Sequence, residues 1–369
     1  MTNSQDTPRS AASEKPQLDV SSLRQSWPLP SRPHPIVIIG AGGIVNDAHL
    51  PAYAKAGFRV TGIYDIDRER SRATAERFGI DRICERLEDC FEDPEAVLDI
   101  AVPPQNVLGI LEAMPEERTV LIQKPLGLDL DQARAIREMV RRKRLCAAVN
   151  FQLRFSPMML ALRSAVEQGL LGEILDVDFH LRVYTPWHLF PYLAQLERVE
   201  ILVHSVHYLD WIRSMLGEPK GVYALTVPHP GVPELRSTRS SILLDYGERT
   251  RVSLSINHNF RPERRHQNAT VTVTGSRGAA VAELGLLLNY PTGEPELLEI
   301  VSDGYDWTPV PLIGSWFPDA FIGTMANLQR YAAGEDSVLY TSVEDAYRTM
   351  AVVEACYESN ARGGLPVPN

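Results

Sequence analysis

A lysine and a histidine-rich segment carry the side chains best suited to acid–base chemistry. Lys124 directly follows an apolar stretch, residues 119–122, and precedes Pro125. If residues 119–122 form a strand, the ammonium group stands at the end of that strand. A lysine there can give a proton to a carbinol oxygen, or take one from it, when partial burial lowers its pKa. Most lysines are solvated surface charges, but this position favours a general acid and base.

The second set lies in a predicted helix, residues 198–216. Four of its side chains are spaced four, three and four residues apart and so share one face, with Asp210 beside them: Glu200, His204, His207 and Trp211. The imidazoles and carboxylate could form a proton relay, bind substrate hydroxyls or hold a metal. Alternatively, His204 and Asp210 make only structural contacts. Because no other strong ligand cluster is visible, we predict no metal. We predict catalytic roles for His204 and His207. We also predict that His204, His207 and Asp210 contact the substrate.

Two further segments supply candidate substrate ligands. Asn150 and Arg154, in the sequence NFQLRFSP, lie where the first half of the chain passes into the second. They are predicted to contact substrate, or else to form a salt bridge between domains. Tyr184 and Trp187 belong to the aromatic segment YTPWHLFPYL. Aromatic faces suit the C–H surfaces of sugars, although the same loop could be a subunit contact.

Residues 35–65 specify the element that would position a cofactor. An apolar strand, residues 36–39, leads into Gly40-Ala41-Gly42-Gly43, a helix over 44–56 and a second strand over 59–64 that ends at Asp65. This order is typical of a dinucleotide-binding fold, because the glycines let the backbone approach a pyrophosphate at a helix N-terminus. The third position of the G-x-G-x-x-G pattern is Val45, so the glycines alone are a weak signal.

The predicted cofactor contacts lie at the ends of successive strands. They are Gly40, Gly42, Gly43, Ile44, Asp65, Pro103, Gln105, Gln123 and Lys124. Asp65 would accept hydrogen bonds from a ribose 2′-hydroxyl and would repel a 2′-phosphate, which favours NAD. Arg68 is close enough in sequence to leave NADP as an alternative.

Strand and helix patterns alternate as far as residue 153, and successive period-two strands follow. The predicted fold class is an α/β Rossmann domain followed by an α+β domain with a large, mostly antiparallel open sheet. The predicted domains are a flexible N-terminal tail or arm (1–34), an NAD(P)-binding Rossmann domain (35–153), a substrate and oligomerisation domain (154–340), and a C-terminal helix packing back on the first domain (341–369). The last helix is predicted to begin with a capping box at Thr341 and Glu344.

Composition excludes several classes of protein. The chain has 369 residues, 44% apolar and 23% charged, with a net charge of −10. This balance disfavours nucleic acid or an anionic membrane as partner. Four scattered cysteines and the lack of a long apolar run predict a cytoplasmic protein.

Taken together, these motifs resemble the Gfo/Idh/MocA family of oxidoreductases. The resemblance rests on GAGGI followed by His49-Leu50-Pro51, on Asp65, on Lys124-Pro125-Leu126 as the family's E-K-P signature, on Asn150 with Arg154, and on His207-x-x-Asp210. It implies NAD(P)-dependent oxidation or reduction of a sugar or polyol, with Lys124 as the catalytic lysine and His207 as the helix histidine near the substrate. It also implies a homodimer or homotetramer formed through the second sheet.

The chain departs from the family pattern at three points. Gln123 replaces the glutamate of E-K-P, Val203 replaces an aspartate four residues before the helix histidine, and Glu197-Arg198-Val199 replaces a run of glycines. His204 or Glu200 could compensate for the missing aspartate. The alternatives are a non-catalytic NAD(H)-binding sensor or scaffold, and an NADP-dependent reductase of a non-sugar carbonyl or imine.

Overall fold

The first domain is built on a five-stranded parallel sheet, as predicted. The computed structural model describes residues 15–368. The strand order is β2-β1-β3-β4-β5. The strands are β1 (Ile36–Ile39), β2 (Val60–Tyr64), β3 (Val97–Ile100), β4 (Thr119–Ile122) and β5 (Cys146–Val149). All are paired in parallel, so their carboxyl ends lie at one edge, where ligands bind in such sheets.

Helices cover this sheet and end where local chemistry dictates. The α2 helix (Arg68–Phe78) begins at Asp67, whose carboxylate accepts N–H groups of the first turn, and ends at Gly79 with φ of +66°. The others are α1 (Leu50–Ala56), α3 (Val107–Ala113) and α4 (Leu130–Arg142). The α4 helix starts in the same way, at Asp129.

The second domain has an eight-stranded sheet in the order β13-β12-β11-β10-β6-β9-β8-β7. Only the β6–β9 pair is parallel, which confirms the mostly antiparallel sheet. The strands are β6 (Ile174–Arg182), β7 (Gly221–Val227), β8 (Arg239–Asp245), β9 (Arg251–Asn257), β10 (Asn268–Gly275), β11 (Gly278–Glu283), β12 (Leu297–Ser302) and β13 (Thr308–Pro309). The helices α5 (Pro157–Glu167) and α6 (Val206–Leu216) also belong to this half of the chain.

Two helices near the C-terminus return to the first sheet. The α7 helix (Asp319–Ala332) was not predicted, and it packs against β4, β5 and α1. The α8 helix (Val343–Arg362) contacts β7, α4, α6 and β5. Its N-cap is Ser342, whose hydroxyl accepts the N–H of Asp345, so the predicted capping box at Thr341 and Glu344 is wrong.

In the part that the structure describes, the N-terminal segment packs against its own chain and is not a free tail. The indole of Trp27 donates to Asp336 at 2.9 Å and packs edge-on against Phe155. Arg24 pairs with Glu167 at 3.0 Å. Apolar side chains in this segment gain burial on their own chain, which corrects the prediction for residues 15–34. Residues 1–14 lie outside the described residues.

Within residues 15–368, no helix combines the length and the apolar character needed to cross a bilayer.

Candidate active site

The glycine turn after β1 has the backbone geometry of a phosphate cradle. Gly40 has φ of +115°, and a Cβ there would lie 2.3 Å from the carbonyl oxygen of Ala101, so only glycine fits. Nothing lies within 4 Å of the Cβ position of Gly42. The backbone N–H groups of Gly42 and Gly43 find no acceptor among residues 15–368. These donors at a helix N-terminus fit an anionic group.

Asn46 and Val45 explain how the turn tolerates an imperfect glycine motif. The amide of Asn46 donates to the carbonyls of Ala41 and Gly42 at 3.2 and 3.1 Å, which fixes the loop. Val45 is fully buried at the start of a π-helical segment, Val45–His49. Because a π-turn is wider than an α-turn, a side chain can stand where close packing otherwise requires glycine.

Asp65 ends β2 and lies next to this turn. Its carboxylate accepts the N–H of Ala41 at 2.7 Å and that of Asp67 at 2.8 Å, so it is held in place by backbone. Arg68 instead pairs with Glu85 at 3.0 Å, and both of those side chains are exposed. Pro103 and Gln105 are exposed after β3, at the same edge of the sheet.

Lys124 connects the two domains at the carboxyl end of β4. Its ammonium nitrogen donates to the carbonyl oxygen of Val203 at 3.0 Å. Burial lowers the pKa of Lys124 to about 8. Val203 belongs to a second π-helical segment, Ile201–Ser205, that leads into α6. The backbone of this position therefore contacts the lysine, although its side chain is apolar.

His204 and His207, which were predicted to share one face of a helix, both lie close to Lys124. Burial lowers the pKa of both imidazoles well below its usual value, and the charge of Lys124 lowers it further in each. For His204 the neighbouring His258 also contributes. Neither Nδ1 atom has a hydrogen-bond partner among the described residues. Two neutral imidazoles can therefore donate or accept a proton beside the lysine.

His258 is a site residue that the sequence did not reveal. Its ring centroid lies 4.3 Å from that of His204. Its Nδ1 is bonded to the Thr185 hydroxyl at 2.9 Å, and its Nε2 lies 3.7 Å from Glu200 Oε1. Glu200 is fully buried and accepts the Ser205 hydroxyl at 2.7 Å. A single histidine after β9 has no spaced partner in sequence, so nothing marked it.

One wall of this cluster is rich in buried polar atoms without partners. Trp187 packs on both His204 and His258, with centroid distances of 5.6 and 5.9 Å. The atoms of this wall that lack a partner among residues 15–368 are Trp187 Nε1, Glu200 Oε2, Thr238 Oγ1 and His258 Nε2. Buried polar groups are normally hydrogen-bonded, so such a wall suits water or a ligand that has several hydroxyls.

Residues from the end of the second domain lie on the other side of His207. The ring of Trp316 is 5.9 Å from that of His207, and its backbone N–H donates to Glu296 at 2.8 Å. Burial raises the pKa of Glu296 to about 7. The described residues contain no group of three His, Cys, Asp or Glu side chains placed to hold a metal ion.

The structure contradicts the substrate-binding prediction for Arg154 and Asp210. Arg154 donates to both carboxylate oxygens of Asp210 at 2.5 Å, to Asp345 at 2.5 Å and to the Tyr340 carbonyl at 2.7 Å. Thr349 also donates to Asp210. These contacts within the chain use the donors of the Arg154 guanidinium group. Arg154 and Asp210 therefore form a salt bridge, which the sequence left open as the alternative to substrate binding.

Three other predicted residues also occupy different places from those expected. The Gln123 side chain turns inward, bonding His49 and the Lys124 N–H, so it does not face a cofactor. Asn150 is fully buried behind the lysine, with its amide 3.4 Å from His49. Tyr184 is 44% exposed, whereas Trp187 of the same loop packs on His204.

Comparison with protein families matches both halves of the chain. Residues 35–151 match the oxidoreductase family with an NAD-binding Rossmann fold, and residues 159–281 match the GFO/IDH/MocA C-terminal domain. The glycine turn, Asp65 and Lys124 all lie within the first match.

Individual relatives agree with this result. The chain is 26% identical to glucose-6-phosphate 3-dehydrogenase of Bacillus subtilis over 40% of its own length and 42% of that protein. It is 27% identical to D-apiose dehydrogenase of Rhizobium rhizogenes over 88% of its own length and 95% of that protein.

A solved structure shares the fold. The crystal structure of an oxidoreductase from Agrobacterium radiobacter, in complex with NAD+, L-tartaric acid and magnesium, has a TM-score of 0.72 to this chain. It is 23% identical, and the match covers 90% of this chain and 98% of that one. From the two family matches, which together span most of its length, the chain belongs to the Gfo/Idh/MocA family of oxidoreductases.

Proposed function

We propose that the protein is an NAD-dependent oxidoreductase that interconverts a hydroxyl and a carbonyl group of a sugar or polyol. The observation that carries the proposal is the position of Lys124. Its ammonium nitrogen, at the end of a strand of the cofactor-binding sheet, donates to the carbonyl of Val203. Val203 lies in the segment that holds His204 and leads into the helix of His207. An acid–base group with a pKa of about 8 thus stands between the two domains.

The residues of the turn fit a dinucleotide. The N–H groups of Gly42 and Gly43 would hold the pyrophosphate, and Asp65 would accept the ribose hydroxyls. Bound NAD would supply the hydride acceptor or donor at its nicotinamide ring. The carboxylate of Asp65 and the Glu85 pairing of Arg68 favour NAD over NADP.

Lys124 would move the proton. In the oxidation direction its neutral amine takes the proton of the substrate hydroxyl at Nζ as the carbinol carbon loses hydride. In the reduction direction its ammonium returns that proton to the alkoxide oxygen. His207 and His204, both neutral, would orient the hydroxyl and exchange the proton with Lys124.

The substrate class follows from the polar wall beside these histidines. Its unpartnered atoms include a donor, Trp187 Nε1, an acceptor, Glu200 Oε2, and the hydroxyl of Thr238, which can donate and accept. A polyhydroxylated ligand satisfies such a mixture, and the Trp187 ring suits a sugar C–H face. The names of the relatives, glucose-6-phosphate 3-dehydrogenase and D-apiose dehydrogenase, agree with this class.

The composition fits a cytoplasmic protein, and the second sheet would form the subunit interface. One strand at its edge, β7, exposes Tyr223 (68%) and Leu225 (58%), and the neighbouring Leu243 is 50% exposed. Covering such side chains with a second copy would remove apolar area from water. We propose a homodimer or homotetramer formed through this face.

A fluorescence titration with NADH and, separately, with NADPH tests the cofactor. We expect NADH to bind much more tightly. A panel of sugars and polyols, assayed with NAD by absorbance of the reduced nicotinamide, then tests the reaction. Binding of neither cofactor, after any cofactor carried through purification is removed, would refute the proposal.

A further inference from the structure

A buried chain of hydrogen bonds runs behind the lysine and ends at its backbone. Asp99, in the middle of β3, is fully buried, and its Oδ2 lies 2.7 Å from both His49 Nδ1 and the Tyr53 hydroxyl. His49 Nε2 lies 3.0 Å from the amide nitrogen of Gln123. The carbonyl oxygen of the same amide accepts the N–H of Lys124 at 2.7 Å.

The contacts of this chain leave only one arrangement of its protons. The Lys124 N–H needs an acceptor, so the oxygen of Gln123 must face it and the NH2 group must face His49. An amide NH2 can only donate, so His49 Nε2 must carry a lone pair. The imidazole proton is then on Nδ1 and is donated to Asp99 Oδ2.

We propose that Asp99 is a positioning residue for Lys124, acting through His49 and Gln123. As the acceptor for Nδ1, Asp99 keeps the His49 proton on that nitrogen. This leaves Nε2 to accept from the Gln123 amide, whose oxygen in turn holds the backbone N–H of Lys124. The E-K-P signature has a carboxylate at position 123. In this chain the carboxylate lies on the far side of His49, at position 99, and an amide takes the place beside the lysine.

The proposal rests on the proposed function only for the role of Lys124, and its main test needs no turnover. Replacing Asp99 by Leu removes the acceptor of the His49 Nδ1–H, and the Tyr53 hydroxyl, 3.5 Å from Nδ1, can then donate to that nitrogen. The imidazole proton then moves to Nε2 and faces the NH2 of Gln123, so two donors meet. We expect the Asp99→Leu variant to unfold at a temperature lower by roughly 5 °C, because buried hydrogen bonds are lost.

Adding Gln123→Glu should reverse this loss. In the double variant the chain runs in the opposite direction: the Tyr53 hydroxyl donates to Nδ1, while Nε2–H and the Lys124 N–H both donate to the new carboxylate. We expect the double variant to regain most of the melting temperature that Asp99→Leu loses.

The matched control is Tyr53→Phe, which removes the other donor to the same Asp99 oxygen without changing the imidazole. Gln123→Glu should not rescue Tyr53→Phe. If Gln123→Glu fails to rescue Asp99→Leu, or rescues both variants equally, the proposed proton arrangement is wrong.

A measurement on the unaltered protein keeps the proposal falsifiable even if Asp99→Leu does not fold. Nitrogen-15 NMR of histidine-labelled protein, with His49→Gln used for assignment, reports which ring nitrogen carries the proton. We expect His49 to be protonated at Nδ1 alone. A proton on Nε2 would overturn the proposal, whether or not the protein proves to be a sugar dehydrogenase.

Discussion

The pKa of Lys124 makes the sharpest prediction about catalysis. The substitution to test is Lys124→Arg, which keeps a positive charge at the end of β4. Burial lowers the pKa of the lysine to about 8, so close to half of it is neutral at about pH 8 and can accept a proton. An arginine has a pKa above about 12 and offers fewer than about one neutral molecule in ten thousand at that pH.

The expected loss follows from these fractions. Turnover in the oxidation direction should fall by about 10²- to 10⁴-fold, the range that general acid–base catalysis contributes, while NADH binding changes little. The unaltered enzyme should also show a rate of oxidation that rises with pH and levels off above about pH 8, because the neutral amine is the active form. The rate of reduction should instead fall above about pH 8, because reduction needs the ammonium form of Lys124.

The assay is NADH formation from a responsive polyol, measured over a range of pH, with Lys220→Arg as control. Lys220 is exposed and distant from the histidine cluster, so its substitution should leave the profile unchanged. If the Lys124→Arg variant keeps full turnover, or if its rate of oxidation still changes with pH near pH 8, then Lys124 is not the proton carrier.

Other substitutions test the cofactor site, the ion pair and the N-terminal segment. Asp65→Ser should narrow the preference for NADH over NADPH by about tenfold or more, read from the two titrations, because it removes the carboxylate that repels a 2′-phosphate; an unchanged ratio would contradict the role of Asp65. Asp210→Ala should lower the free energy of unfolding by about 3 to 5 kcal/mol in urea melts, because Arg154 keeps its buried charge; a loss of substrate affinity with full stability would restore the binding role. Trp27→Ala should cost about 3 kcal/mol in the same melts, and a change near zero would show that residues 15–34 are not part of the folded unit.

Much of the fold was readable because its signals are local. The five strands of the first sheet and the α2 helix follow from apolar runs, Asp caps and glycine ends that need no tertiary information. The β11 strand cannot be predicted from local sequence, because its sequence, GAAVAE, has weak strand propensity. It is specified by pairing with β10 and β12 instead. The α7 helix escaped notice because its apolar residues are broken by Gly323, which packs on Phe155.

The site was readable only where one segment carries several groups. His204 and His207 share a helix and could be found by their spacing. Lys124 could be found because it directly follows a strand. His258 and Trp316 reach the cluster from distant parts of the chain, and only the folded sheet brings them together. Arg154 and Asp210 lie at predicted positions, but sequence spacing cannot tell a buried ion pair from two substrate ligands.

The contacts of Trp27 have a mechanical consequence for the molecule. Its ring packs on Phe155, in the segment that joins the two domains, and on Tyr340, just before α8. Arg154 donates to the carbonyl of the same Tyr340. Three stretches of chain that are far apart in sequence therefore meet at one point. A joint tied in this way resists rotation of one domain against the other, because that rotation must deform all three stretches together. Since Arg154 also pairs with Asp210 of α6, the same joint holds α6 in place.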